Sequence, residues 1–593
     1  MIINIESILT STIANNIVKN ARSLYKEGIW LHDSEGRYLL FRGVNFASRS
    51  KLSPYLPIAP LEMKNIDESI LNQEIELVKP ELDLLKKLGF NIIRLLISWK
   101  AIEPEPNPNL NELTIAGRKY LSFVNQIIDA LYSRDLFILL DFHQDIAHEV
   151  FGGDGFPDWA LAIDEEHKRP KASNLRDRKW QTAYMLNKLV KHTLSSFWKN
   201  DLTNTEFGLR NFPVRTHLEK TIGQTVNFFR SLNDGSGHPA VLGIEPFNEP
   251  HPAGIKAEQF EETFLYQYYQ NVESEIRKFD DKIFLFIEPR VDWTMSFQEA
   301  GGEKKSKAGP TPFNIRRTFH LNFVRDAMIE GKIDPQTGQQ IVSHLPSDSM
   351  SLDKIGQRGV FSFHYYDPIA ITQSFLKIPD NMYRYAHQWG DIFSQLVKAA
   401  EKRQLVPFLT EFGGVQDAEL IRDYIDLHYN HIETFLLNST YWNYDLYNTK
   451  DGKDNWNLEN FSLLGPGRSP RNIDVMARPY PLCSSAKPIL LFFDIKSSYA
   501  TLILEGSVLD SATVMHIPYD FHYSPEFRVW ATSKEIEWDR QNQMLYWYPA
   551  KAQTLNQIII AKDRNNNVNI ERLPKKARDL VENNKISFVN VFS

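Results

Sequence analysis

Eight short apolar runs, each separated from the next by a stretch of helical periodicity, constrain this chain more than any other feature. The runs are LLFRGVNF (39–46), NIIRLLIS (91–98), LFILLDFH (136–143), AVLGIEPF (240–247), KIFLFIEP (282–289), VFSFHYYD (360–367), LVPFLTEFGG (405–414) and TYWNYD (440–445). Between them, apolar residues recur at helical spacing over 81–89, 113–132, 217–232, 257–278, 382–402 and 417–430. A near-continuous apolar strand is one buried on both faces, as in a parallel sheet covered by helices. Eight such units over about 400 residues predict a (β/α)8 barrel. A doubly wound sheet is the alternative, but no glycine-rich phosphate loop follows any strand.

Three connections exceed ordinary loop length: about 46–80, 144–216 and 289–358. Each leaves the C-terminal end of a strand, the face on which barrel active sites are built. Long loops there predict a walled or lidded cleft. The stretch AYMLNKLVKHTLSSFW (183–198) has helical periodicity and reads as a helix packed on the barrel, or as a lid facing lipid. After about 485 the rhythm changes to seven short strands at close spacing, from ILLFFDIKSS to NQIIIAK, which predict an all-β sandwich. The expected organisation is an N-terminal helical segment at 1–25, a barrel at 26–484 and a β-sandwich at 485–593.

Composition excludes several classes. With 67 basic and 74 acidic residues the net charge is −7, so nucleic acid is not an expected partner. The single cysteine, Cys483, rules out an intrachain disulfide and any cysteine-based zinc site. This fits a reducing compartment, or a bacterial enzyme that needs no disulfides. The first residues, MIINIESILTSTIANNIVKNARS, show neither a basic n-region nor an uninterrupted apolar core, so neither a cleavable signal nor a membrane span is expected. Either a cytoplasmic location or export by a non-standard route fits. Aromatic residues make up 12% of the chain, enough for large cores and for a cleft that stacks sugar rings or lines an apolar pocket.

The strand ends carry the chemistry. In order they offer Arg94; His143 and Asp145; Asn248 and Glu249; Glu288; His364 and Tyr366; Glu411; and Trp442. One charge at a strand end is usually a solvated cap, but convergence of this set on one barrel mouth is a site. Glu249 on the fourth strand and Glu411 on the seventh would face each other. Glycoside hydrolysis needs such a pair flanking the scissile bond, one protonated and one ionised, with pKa values pushed apart by their surroundings. Asn248 can hold the sugar 2-hydroxyl, Arg94 and Tyr366 can keep Glu411 ionised, and Trp442 offers a flat apolar face. Glu245, inside the fourth strand, reads as structural, buried and paired. Glu288 reads equally as a strand cap or a site residue, and Phe156 and Trp159 as packing. A metal at His143 and Asp145 lacks a third ligand at suitable spacing, so neither a metal nor an organic cofactor is expected.

These residues also carry a resemblance. FNEP after the fourth strand, HYY on the sixth, TEFGG on the seventh and YWNY on the eighth resemble glycoside hydrolase family 5. LDFHQD (140–145) with GGDGFPDWA (152–160), SFWKN (196–200), DNWNLENFSLL (454–464) and ARPYP (477–481) are similar to endoglycoceramidases and related glucosylceramidases, as is a C-terminal sandwich beside a barrel. GVNFASRSKLSPY (43–55) is a looser match. The resemblance spans about 25–590. It implies Glu249 as acid/base and Glu411 as nucleophile. It implies His143, Asp145, Asn248 and Trp442 as sugar-binding, His364 and Tyr366 as orienting the catalytic groups, and Lys51 as reaching a sugar hydroxyl. The 289–358 segment is longer than the resemblance leads one to expect.

The expected function is a retaining β-glycosidase acting between a sugar or oligosaccharide and a lipid aglycone, in particular a glycosphingolipid. The protein is expected to be a monomer that touches a membrane or micelle surface peripherally. A polysaccharide endo-β-glucanase or mannanase is the alternative, and a non-catalytic carbohydrate-binding protein the third reading.

Overall fold

A computed structural model describes residues 2–4, 18–47, 49–59, 66–170, 187–256, 259–290, 353–366, 386–533, 535–562 and 578. Its centre is a closed barrel of eight parallel strands. They are β1 (Arg42–Phe46), β2 (Ile92–Ile97), β3 (Phe137–Phe142), β4 (Val241–Glu245), β5 (Phe284–Ile287), β6 (Gly359–His364), β7 (Val406–Glu411) and β8 (Asn438–Tyr444). Each pairs with its neighbour in chain order, and β8 closes on β1. Every expected run supplies one strand, within a few residues of its bounds. Helices Ile115–Tyr132, Val214–Gly235, Tyr266–Ile276, Ala386–Lys402 and Ile421–Thr434 follow β2, β3, β4, β6 and β7.

Period-two alternation sorts each strand into two faces. Ile93, Leu95, Ile97, Ile138 and Leu140 join the large core shared with the helices. Ile92, Leu139, Leu242, Phe284, Phe286, Val360 and Phe408 belong to a separate apolar cluster at the other end of the barrel from the mouth. Two residues on from members of that cluster come Arg94, Asp141, Ser362 and Thr410, all fully buried. Two further on come His143 and His364. The chain thus builds an apolar floor, a polar tier and a reactive rim by simple alternation.

The connection after β1 forms helices Glu68–Leu77 and Lys79–Lys87. The one after β3 holds helix Lys188–Lys199 and the hairpin Leu202–Asn204/Leu209–Phe212. Helix Lys188–Lys199 buries Leu189, Val190, Leu194, Phe197 and Trp198, which favours the packed reading over the lid. Most of the 289–358 connection, residues 291–352, lies outside the described residues, as do 5–17 of the expected N-terminal helix.

Two antiparallel sheets accompany the barrel. One has the order 2–4, 528–531, 555–561, 499–505, 487–494; the other 25–27, 30–32, 38–39, 480–484, 513–516, 544–547, 536–539. The seven strands expected in the C-terminal region are present. Residues 2–4, expected within a helix, instead pair with 528–531, where the β-branched Ile2-Ile3 sequence suits an added edge strand. The hairpin Trp30–His32/Tyr38–Leu39, which the sequence places within the barrel segment, joins the second sheet through Tyr38–Leu39 against 483–484. Its DSEG turn is tied by Asp33, which accepts from the Glu35 and Arg37 amides and pairs with the Arg37 guanidinium at 2.7 Å.

Candidate active site

Arg94 is the hub. Nε donates to Glu245 Oε2 at 2.6 Å, Nη1 to Glu411 Oε1 at 2.5 Å and to Asn45 Oδ1 at 2.8 Å, and Nη2 to Asn248 Oδ1 at 2.9 Å. Nη2 also lies 3.0 Å from Asp141 Oδ2. One fixed guanidinium fork thereby aligns residues from β1, β2, β3, β4 and β7. Glu245 is buried and paired as expected, with a second bond from Ser362 Oγ. Burial, with Asp141 close by, lifts its carboxyl to about 7 against the opposing pull of Arg94 and Ser362.

Across the mouth, Glu411 receives a second donor, the Tyr366 hydroxyl at 2.9 Å. Glu249 faces it, and single carboxylate oxygens of the two, with His364 between, fall within 4.8 Å of one another. His364 Nδ1 lies 2.9 Å from Glu249 Oε1 and 3.6 Å from Glu411 Oε2. Glu249 sits at φ 46°, a left-handed backbone uncommon outside glycine. Gln144 braces this turn: its Nε2 donates to the Asn248 carbonyl at 2.7 Å, while Asn248 Nδ2 returns a bond to the Gln144 carbonyl at 3.0 Å.

Electrostatics separates the two acids. Burial, then the nearby Glu411 and Asp145, push Glu249 well above the usual carboxylate range. Burial also raises Glu411, but Arg94, His143 and Lys51 oppose it. Glu249 is therefore the group that keeps a proton, and Glu411 the one its neighbours favour as an anion. Burial, Arg94 and His143 hold His364 well below its ordinary value, so it is a neutral imidazole.

The third strand supplies a second cluster. Burial would lower His143, but Asp141 at 2.7 Å from Nδ1 and Asp145 at 3.2 Å from Nε2 outweigh it and raise the ring to about 10. The His143 and Trp442 rings stack at 5.6 Å. Lys51 Nζ lies 2.5 Å from Asp145 Oδ2 and sits over Trp442 at 4.5 Å and Trp456 at 3.6 Å. Trp442 Nε1 donates to Glu459 at 3.2 Å. The GGDG loop packs directly on this cluster: a β-carbon at Gly153 would overlap the Asp145 carbonyl, so only glycine fits.

All ten expected site residues, Lys51, Arg94, His143, Asp145, Asn248, Glu249, His364, Tyr366, Glu411 and Trp442, are buried at this mouth. Sequence reasoning missed Asn45, Asp141, Gln144 and Trp456 as contributors. Asp141 was visible as an acid inside an apolar strand, two residues before His143. Trp456 stood in a quoted motif without a role. Phe156 and Trp159 pack in the core as expected. Donor atoms of His143, Asp145 and Asp154 lie within 4.8 Å of one another, yet the Lys51 ammonium already binds that cluster. Asp164, His167 and His192 form another such group outside the mouth. There the imidazoles stack at 3.9 Å with planes 16° apart, so one ion cannot lie in both ring planes.

The model of the cellulase family, glycosyl hydrolase family 5, matches residues 72–448. The chain belongs to that family. Endoglycoceramidase I of Rhodococcus hoagii (strain 103S) is 28% identical to it over 280 residues, 46% of this chain and 47% of that protein. A glucosylceramidase of Rhizopus delemar is 28% identical over 255 residues, 38% of this chain and 35% of that one. The matches thus span less than half the length of either relative. Among solved structures, endo-glycoceramidase II from Rhodococcus sp. superposes with a TM-score of 0.60 at 21% identity, covering 90% of this chain and 99% of that one. The family 5 barrel and its accompanying antiparallel sheets are therefore shared with that structure. Among the described residues, no helix is long and apolar enough to cross a membrane.

Proposed function

We propose that the protein is a retaining β-glycosidase that cleaves between a β-linked sugar or oligosaccharide and a lipid aglycone, a glycosphingolipid such as glucosylceramide. The observation that carries the reading is the Glu249–Glu411 pair, with one carboxylate oxygen of each within 4.8 Å of the other. Retaining enzymes set their carboxyl groups about 5–5.5 Å apart, and inverting ones about 6.5–9.5 Å apart to admit a water. Glu249, the proton-holding acid, protonates the glycosidic oxygen as Glu411 attacks the anomeric carbon, giving a glycosyl ester and the free alcohol. Glu249, now ionised, takes a proton from water, which attacks the same carbon and frees Glu411. Arg94 and the Tyr366 hydroxyl hold the attacking carboxylate in place. Asn248, fixed by Arg94 and Gln144, is placed for the 2-hydroxyl, and the His143–Trp442 stack with Lys51 and Asp145 grips the rest of the ring.

The lipid half of the reading is supported by the endoglycoceramidase and glucosylceramidase relatives. Such an aglycone stays in a membrane or micelle, so the protein would act at that surface. Parallel incubation with glucosylceramide, a longer ganglioside, a steryl glucoside and a β-glucan, with released glycans read by mass, tests it. Release from a ceramide glycoside is expected, and its size tells one sugar from a whole glycan. Release from the β-glucan alone would overturn the lipid assignment.

A further inference from the structure

Glu288, which follows β5, has no part in the scheme above, yet it touches the acid from two sides. A non-glycine residue in left-handed backbone is strained and persists only where its surroundings hold it. At Glu249 the amide N–H donates to Glu288 Oε2 at 2.7 Å. Glu288 is itself clamped: the Tyr269 hydroxyl donates to its carbonyl at 2.6 Å and accepts from its amide at 3.1 Å. The other oxygen, Oε1, has no hydrogen-bond partner among the described residues and lies 3.4 Å from His364 Nδ1. That nitrogen is the one 2.9 Å from Glu249 Oε1. A single buried carboxyl, 1% exposed, thus meets both the backbone of the acid and the imidazole that orients its side chain.

We propose that Glu288 is a positioning residue for the acid/base, locking the Glu249 backbone through Oε2 while its Oε1 packs beside the His364 nitrogen that meets the Glu249 carboxyl. The inference rests on the reading of Glu249 as acid/base. The groups facing Glu288 are Glu245 and Glu249 of the β4 end, Arg94 on β2, His364 on β6 and the Tyr269 hydroxyl. Burial, with Glu245 and Glu249 close by, pushes Glu288 well above the usual carboxylate range, so it acts as a neutral acid with one donor and one acceptor. A carboxamide offers the same pair of groups. Glutamine should therefore substitute for it and alanine should not.

The test uses the full chain and aryl β-glucosides from dinitrophenyl, which leaves without a proton, to phenyl, which needs one. Glu288→Ala should lose about 10²-fold in kcat/KM, which reports the glycosylation step, on the phenyl substrate but only about threefold on the dinitrophenyl one, with Glu288→Gln within about threefold of the parent on both. Equal losses across the series, or none, would overturn the inference, since a structural defect does not read leaving-group basicity. A second readout needs no turnover. Hydrogen exchange at the Glu249 amide should quicken in Glu288→Ala and stay slow in Glu288→Gln, and unchanged exchange in the alanine variant would overturn the inference even if no substrate were cleaved. Failure of the parent protein on every aryl glucoside would instead count against the glycosidase reading.

Discussion

Glu249 and Glu411 are the same residue type in one pocket, and their neighbours divide the labour. Glu411 has two donors, Arg94 and Tyr366, while Glu249 has burial, a second acid and a neutral His364. Activity then requires Glu249 protonated and Glu411 ionised. Rate should fall as pH rises through the raised value of Glu249 and fall again at low pH as the pair takes up its second proton, giving a bell whose limbs belong to the coupled pair. In Glu249→Gln the basic limb should vanish, and kcat on poor leaving groups should drop by about 10²–10⁴-fold. A pH–rate profile checks this; an unchanged basic limb would assign that titration elsewhere. At this scale the sequence was most legible where a polar residue interrupts an apolar run, as at Arg94, Glu245 and Glu411. It was least legible where the role depends on a partner remote in sequence. Asn45 meets Arg94 and the Thr410 carbonyl only because β1, β2 and β7 converge.

Elements were legible because both sides of the period-two pattern leave a trace in the parallel strands. The outward positions are apolar against helices, and the inward ones change from apolar to polar toward the mouth. The link between barrel and antiparallel sheets left no such trace. Glu433, 1% exposed near the end of helix Ile421–Thr434, accepts from Arg478 Nε at 2.7 Å, Arg42 Nη2 at 3.3 Å and the Phe493 amide at 3.1 Å. One carboxylate thus ties a barrel helix to β1 and to strand Lys487–Asp494. Nothing in the local sequence distinguishes Glu433 from a solvated helix residue. Glu433→Ala would leave two buried guanidiniums without it and should cost about 3–5 kcal/mol of stability. Urea denaturation would measure this, and a loss below about 1 kcal/mol would mean solvent or other acids replace the tie.

For the whole molecule, the chain's first and last described strands lie in one sheet. Residues 2–4 and 25–39 complete sheets made from residues beyond 480. Pairing across several hundred residues is set by edge availability, which no local periodicity encodes, so sequence alone reads 1–25 as helix and the residues after it as barrel. The reactive rim does not depend on that detail. It needs only eight strands in register, with Arg94 at the centre and two glutamates on opposite sides. The account's central claim is that Glu411 becomes covalently glycosylated while Glu249 serves as acid and base. Incubation with a 2-deoxy-2-fluoro-β-glucosyl fluoride, which forms the ester quickly and loses it slowly, followed by peptide mass mapping, tests that claim most directly. A fluoroglucosyl adduct on the peptide carrying Glu411, absent in Glu411→Gln, is the predicted result. An adduct on another carboxylate, or none while an aryl β-glucoside is still hydrolysed, would contradict it.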